Sequence, residues 1–115
     1  MPKQYVPDAG EIVWINFTPQ AGHEQAGRRS AVVLSSGVYN RRSRLAIVCP
    51  ITNHVKGYPF EVPLPKTLPI TGVILADHLR GLDWHVRRAE KAGRVSTQVM
   101  AEILERVAPL LGLAA

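Results

Sequence analysis

The chain has little of what marks a secreted, metal-bound or membrane-spanning protein. Its 115 residues include one cysteine, Cys49, so no internal disulfide can form. No Cys/His spacing reads as a zinc site. No apolar run approaches the roughly 18 residues that cross a bilayer. The first residues show no charged-then-apolar leader, so the expectation is a cytoplasmic protein with no membrane attachment. Acidic side chains are also scarce: 9 Asp plus Glu stand against 14 Lys plus Arg, a formal net charge of +5. Their placement says more than their number. Between Glu24 and Glu61 there are none, while Arg28, Arg29, Arg41, Arg42, Arg44 and Lys56 fall inside that interval. A one-sign surface of this kind draws a polyanion, either nucleic acid or an acidic protein segment.

What the chain does have is a core. It is 46% hydrophobic and long enough to bury that content as one domain. Residues 11–17 alternate, with Val13, Ile15 and Phe17 on one face of a strand. Residues 18–29 are mostly polar, with Pro19, Gly22 and Gly27, and read as a loop suited to carry function. Residues 30–35 and 44–51 are near-continuous apolar runs, strands buried on both faces, joined through a connection at 38–43. Cys49 lies in the second run as a small core residue. Residues 58–64 alternate, but two prolines confine them to a sheet edge or to strand ends. A further strand is expected at 73–76, running on into Arg80, and a short one at 85–90. Trp14 and Phe60 are expected to pack in the barrel or in an interface. Ser96 is placed to cap a helix whose apolar stripe is Val99, Ile103, Val107 and Leu110, with Pro109 ending or kinking it. Five or six short strands, then one helix, with no βαβ alternation, predict a mainly β fold built as a small antiparallel barrel.

Four segments carry a resemblance. They are Glu24-Gln25-Ala26-Gly27-Arg28-Arg29-Ser30-Ala31-Val32-Val33-Leu34-Ser35, Lys56-Gly57-Tyr58-Pro59-Phe60-Glu61-Val62, Leu75-Ala76-Asp77-His78 and Asp83-Trp84. In this order, over nearly the whole chain, they resemble the MazF/PemK toxins of bacterial type II toxin–antitoxin modules. The resemblance implies an SH3-like barrel (MazF/CcdB/Kid-like) with a C-terminal α-helix, assembled as a homodimer. It implies a metal-independent, cofactor-free endoribonuclease that cuts single-stranded RNA at short motifs. It also implies a cognate antitoxin with an acidic, disordered tail. By the same resemblance Arg29 and Thr52 are catalytic, and Glu24 is the glutamate of the first loop. Two positions depart from the family pattern. Ser30 stands where proline is usual, and a following proline would hold Arg29 extended. His78 stands where glutamine is common and adds a titratable group, which bears on base preference.

The residue types suit that chemistry. RNA carries its own nucleophile, the 2′-hydroxyl, whose attack on phosphorus leaves a 2′,3′-cyclic phosphate and a 5′-hydroxyl. An arginine fork can bond two phosphoryl oxygens at once. With a pKa above about 12 it is a poor base, so Arg29 reads as electrostatic stabiliser and proton donor to the leaving oxygen. The Thr52 hydroxyl reads as a phosphate contact, and Glu24 as the group that holds Arg29 or assists as base. Candidate RNA contacts are Arg28, Arg41, Arg42, Asn53, Lys56, Arg80, Arg87 and Arg88. Tyr58 is the first candidate for base stacking. Asp77 can read a base edge or cap a strand end. Among His23, His54 and His78, His78 ranks first as an RNA contact. Two alternatives stay open: a binding module without catalysis, and a gyrase-poisoning toxin of the same barrel. The second is weaker, because the Trp-Gly-Ile tail of that family has no counterpart in Leu-Gly-Leu-Ala-Ala.

Overall fold

The computed structural model describes residues 4–18 and 27–113. Along the chain run β1 (Glu11–Asn16), β2 (Arg28–Val33), α1 (Gly37–Ser43), β3 (Leu45–Thr52), β4 (Glu61–Pro63), β5 (Val73–Leu75), β6 (Arg80–Asp83), β7 (Glu90–Arg94) and α2 (Thr97–Leu110). All the pairings are antiparallel, in the order β4-β5-β3-β2-β1-β7, with β6 beside β3. β3 joins two sheets. One edge meets β2 from Ala31↔Pro50 to Val33↔Val48. Its other edge meets β6 along residues 45–48 and then β5 at Ile51 and Thr52. The outer strands β4 and β7 do not pair with each other among the described residues, so the barrel stays open along that seam.

Side-chain alternation divides the apolar residues of β1, β2 and β3 between two cores. Ile12, Val32, Cys49 and Ile51 pack with Val62, Ile74 and the α2 stripe Val99, Ile103 and Val107. Val13, Ile15, Phe17, Ala31, Val33, Ala46 and Val48 pack with Leu82 and Trp84. Burial on both faces is why the β2 and β3 segments read as continuous apolar runs rather than alternating ones. Each fully buried Ile or Val adds about 1.5–3 kcal/mol to folding.

Several local expectations are corrected. Residues 38–43 are not a mere connection but most of α1. Ser36 caps it by accepting the Tyr39 N–H at 3.4 Å, and Arg44, left-handed at φ 66°, closes it. A helix this short offers too few apolar positions to show a period. Residues 85–88 are a turn rather than a strand, because Asp83 Oδ1 accepts the N–H groups of His85 and Val86 at 3.0 and 2.9 Å. The strand that follows, β7, is polar and exposed along much of its length. The run from Val73 to Arg80 is broken by a turn in which the His78 N–H donates to Leu75 O at 3.1 Å. Within the single chain Trp14 is 40% exposed, so it is not a barrel-core residue, and Phe60 is half-buried. α2 begins at the Ser96 cap, which accepts the Val99 N–H, and stops one residue beyond Pro109.

Asn40 ties α1 to the barrel. It is fully buried; its Nδ2 donates to Pro7 O at 2.8 Å and Ser35 O at 3.1 Å, and its Oδ1 accepts from Ser35 Oγ. Its own carbonyl accepts the Trp84 indole N–H at 2.8 Å. Asn40→Ala leaves those carbonyls and the Ser35 hydroxyl without their partner, and is expected to cost about 1–3 kcal/mol. Urea unfolding should show a lower midpoint at unchanged slope; a wild-type midpoint would contradict this.

Candidate active site

Arg29 lies at the start of β2, opposite Ile15. It follows the alternation that puts Ala31 and Val33 in the core with Phe17. On β3 the same face carries Ala46 and Val48, and alternation brings Pro50 and Thr52 to it. The β2–β3 ladder ends at Ala31↔Pro50. Arg29 and Thr52 each lie two residues beyond that last pair, Arg29 still paired with Ile15 of β1 and Thr52 with Val73 of β5. By alternation the two residues belong to one face, Arg29 exposed and Thr52 half-buried.

The supports of this pair are local. The Phe17 N–H donates to Gly27 O at 2.7 Å, and the Arg87 guanidinium donates to Phe17 O at 2.8 Å and Asn16 O at 3.2 Å. Gly27 is required for that approach, since a Cβ there would stand 1.8 Å from Thr18 Oγ1. Arg29 Cζ lies 5.6 Å from the Phe17 ring centroid, and Arg80 Cζ lies 5.2 Å from the same centroid. Thr52 Oγ1 accepts the His54 N–H at 3.0 Å, and among the described residues its hydroxyl hydrogen has no acceptor. Gly72 backs Thr52: its φ is +123°, and a Cβ would meet Thr52 O at 2.4 Å. Asn53 Oδ1 accepts from Thr71 Oγ1 at 3.0 Å.

Beside Thr52 opens a pocket of about 170 Å³, lined by Thr52, His54, Lys56, Tyr58, Glu61, Leu75 and His78. Its loop is organised by Glu61. That carboxylate is 9% exposed and accepts the N–H groups of Lys56 and Gly57, each at 2.9 Å. Lys56 Nζ sits 5.7 Å from the centroid of the exposed Tyr58 ring. At the rim, His78 Nε2 lies 3.7 Å from Asp77 Oδ1. Among the described residues no three His, Cys, Asp or Glu side chains are grouped as metal ligands would be.

Other expected site residues lie apart or are otherwise engaged. Arg28 donates to Asn16 Oδ1 at 3.0 Å and Arg88 O at 2.9 Å, and pairs with Glu90. Its fork, like that of Arg87, is committed to protein groups and clamps β1 and β2 to the segment 87–90. Arg41 and Arg42 are exposed on the last turn of α1, which feeds the start of β3. The length of β3, roughly 3.3 Å per residue, separates them from Thr52. Glu24 and His23 lie outside the described residues. Burial, with the Asp77 carboxylate adding to it, pushes the Cys49 thiol up to about 12, so it stays protonated and inert.

The sequence reading missed Glu61 as an organiser, Phe17 as a platform for arginines and Gly72 as the backing of Thr52. Only Gly72 left a local signal, a glycine just before an apolar run. For Glu61 the expected outcome is direct. Glu61→Gln keeps one acceptor oxygen and loses the other, so the Lys56 or Gly57 amide should exchange hydrogen about tenfold faster. Unchanged protection of both amides would contradict the assignment.

Comparison with known proteins follows the same lines. A sequence profile of the PemK-like, MazF-like toxins of type II toxin–antitoxin systems matches residues 8–111. The endoribonuclease toxin MazF of Escherichia coli K12 is 41% identical over 112 residues, 97% of this chain and 100% of that protein. The crystal structure of MazF (Form-I) from Deinococcus radiodurans is 55% identical, with a TM-score of 0.87 over 96% of this chain and 100% of that one. A MazE-MazF crystal structure (Form-III) from the same organism is 53% identical, with a TM-score of 0.88 over the same shares.

Proposed function

The chain belongs to the PemK-like, MazF-like toxins of type II toxin–antitoxin systems, and we propose that it acts as an endoribonuclease on single-stranded RNA. The observation that carries this reading is the face shared by Arg29 and Thr52, each two residues past the last β2–β3 pair, Ala31↔Pro50. Its Escherichia coli relative is named an endoribonuclease toxin, at 41% identity over nearly the whole of both chains.

The reaction needs no nucleophile from the protein. The substrate's 2′-oxygen forms a bond to the adjacent phosphorus as its proton departs. The bond from phosphorus to the 5′-oxygen breaks, and that oxygen takes up a proton. The products are a 2′,3′-cyclic phosphate and a 5′-hydroxyl. Arg29 stabilises the charge gathering on the phosphoryl oxygens through its planar fork and supplies a proton toward the leaving oxygen. Thr52 donates its free hydroxyl hydrogen to a phosphoryl oxygen and fixes the group in line. Glu24 holds Arg29 or takes the 2′-proton. Tyr58 stacks a base beside the scissile step, with Lys56, Asn53, Asp77 and His78 around it. The enzyme works in the cytoplasm as a homodimer. Its antitoxin carries an acidic, disordered tail that orders along the basic face and blocks RNA.

Purified protein incubated with a long single-stranded RNA and EDTA should give discrete cuts with 5′-hydroxyl ends. Intact RNA would refute the reading. Arg29→Ala should lower the cleavage rate by about 10²–10³-fold with the fold intact, and wild-type-like cutting would remove Arg29 from the chemistry. Arg41 and Arg42, at the other end of β3, serve an outlying phosphate track. Replacing both with alanine should reduce the slope of log affinity against log salt by about 1.4 at little change in the cut motif. An unchanged slope would take them off the track.

A further inference from the structure

Phe17 is 5% exposed, yet two guanidiniums lie against its ring, Arg29 at 5.6 Å and Arg80 at 5.2 Å from the centroid. Packing accounts for a phenyl at the end of β1. It does not account for two cations converging on it. The arginines come from β2 and β6, strands on opposite edges of β3, and both are exposed. Among the described residues no carboxylate lies within ion-pair distance of either. The face of a phenyl ring attracts each guanidinium, while the two like charges repel. An anion that meets both relieves that repulsion. The backbone that carries the ring is held, since the Phe17 N–H donates to Gly27 O and its carbonyl accepts from Arg87.

We propose that Phe17 is a positioning residue that fixes Arg29 and Arg80 as a two-guanidinium clamp on the RNA backbone at the scissile step. The proposal rests on the nuclease reading and deepens it. Arg80 works beside Arg29, not on an outlying track, and the aromatic ring at the end of β1 sets the aim of both.

The test uses full-length protein, wild type and the variants Phe17→Leu, Phe17→Tyr, Arg80→Gln and Phe17→Leu with Arg80→Gln. Three quantities are read: kcat and KM on single-stranded RNA, affinity for a 2′-O-methyl RNA that cannot be cut, and the melting temperature. Phe17→Leu keeps an apolar side chain without a π face. It should lower kcat and analogue affinity on the order of tenfold, and Phe17→Tyr, which keeps the ring, should restore both. Arg80→Gln, an exposed change that leaves the core alone, should lose a similar factor. The double variant should lose less than the product of the single losses, because the residues act through one clamp. Wild-type binding and kcat in Arg80→Gln, or in a folded Phe17→Leu, would overturn the clamp; so would singles that multiply in the double variant. Analogue binding is read apart from cutting. RNA left intact by the wild type counts against the nuclease reading, whereas unchanged analogue binding in the variants counts against the clamp.

Discussion

The site depends on one register, Ala31 opposite Pro50 at the meeting of β2 and β3. A slip of one residue would turn Arg29 to the other face of the sheet, toward the core that α2 covers, and would part it from Thr52. The two cores prevent that slip. Val32, Cys49 and Ile51 fill one side, while Ala31, Val33 and Val48 fill the other. Neither set can cross over without exposing apolar surface on one face and forcing polar groups into the other. The hydrophobic packing that holds the barrel thus also keeps Arg29 and Thr52 on one face.

Around that pair the chain spends polar groups on placement. Glu61 is buried so that it can hold two backbone N–H groups of the pocket loop. Arg87 and Arg28 use their forks on the ends of β1 and β2 and on the segment 87–90. Ser30, where proline is usual in the family, does not leave Arg29 loose, because the pairing of Arg29 with Ile15 keeps the backbone extended. The strand ladder does the work that a proline ring would do by sterics.

Much of this was legible in the sequence and some was not, for physical reasons. β1 and α2 announced themselves through apolar period, and β2 and β3 as continuous apolar runs, because each has a face or two that must be buried. α1 and β7 did not: α1 is short and held by the buried amide of Asn40, and β7 is polar and exists by pairing with β1. Arg29 and Thr52 were singled out through the resemblance and not through period, since a guanidinium and a hydroxyl leave no periodic mark in hydrophobicity. Arg28 and Arg87 looked like free surface charges because their partners are remote. Arg28 meets Glu90, and Arg87 meets the carbonyls of Asn16 and Phe17. Phe17 was assigned to the right face, but its arginines arrive from two other strands, which no local pattern reveals.

The most direct test of the account is a crystal structure with a 2′-O-methyl RNA bound. The Arg29 guanidinium and the Thr52 hydroxyl should both lie within hydrogen-bond reach of one phosphate, about 2.7–3.2 Å, with that phosphate over the β2–β3 end of the barrel. RNA seated on another face, or a phosphate reached by neither side chain, would contradict it.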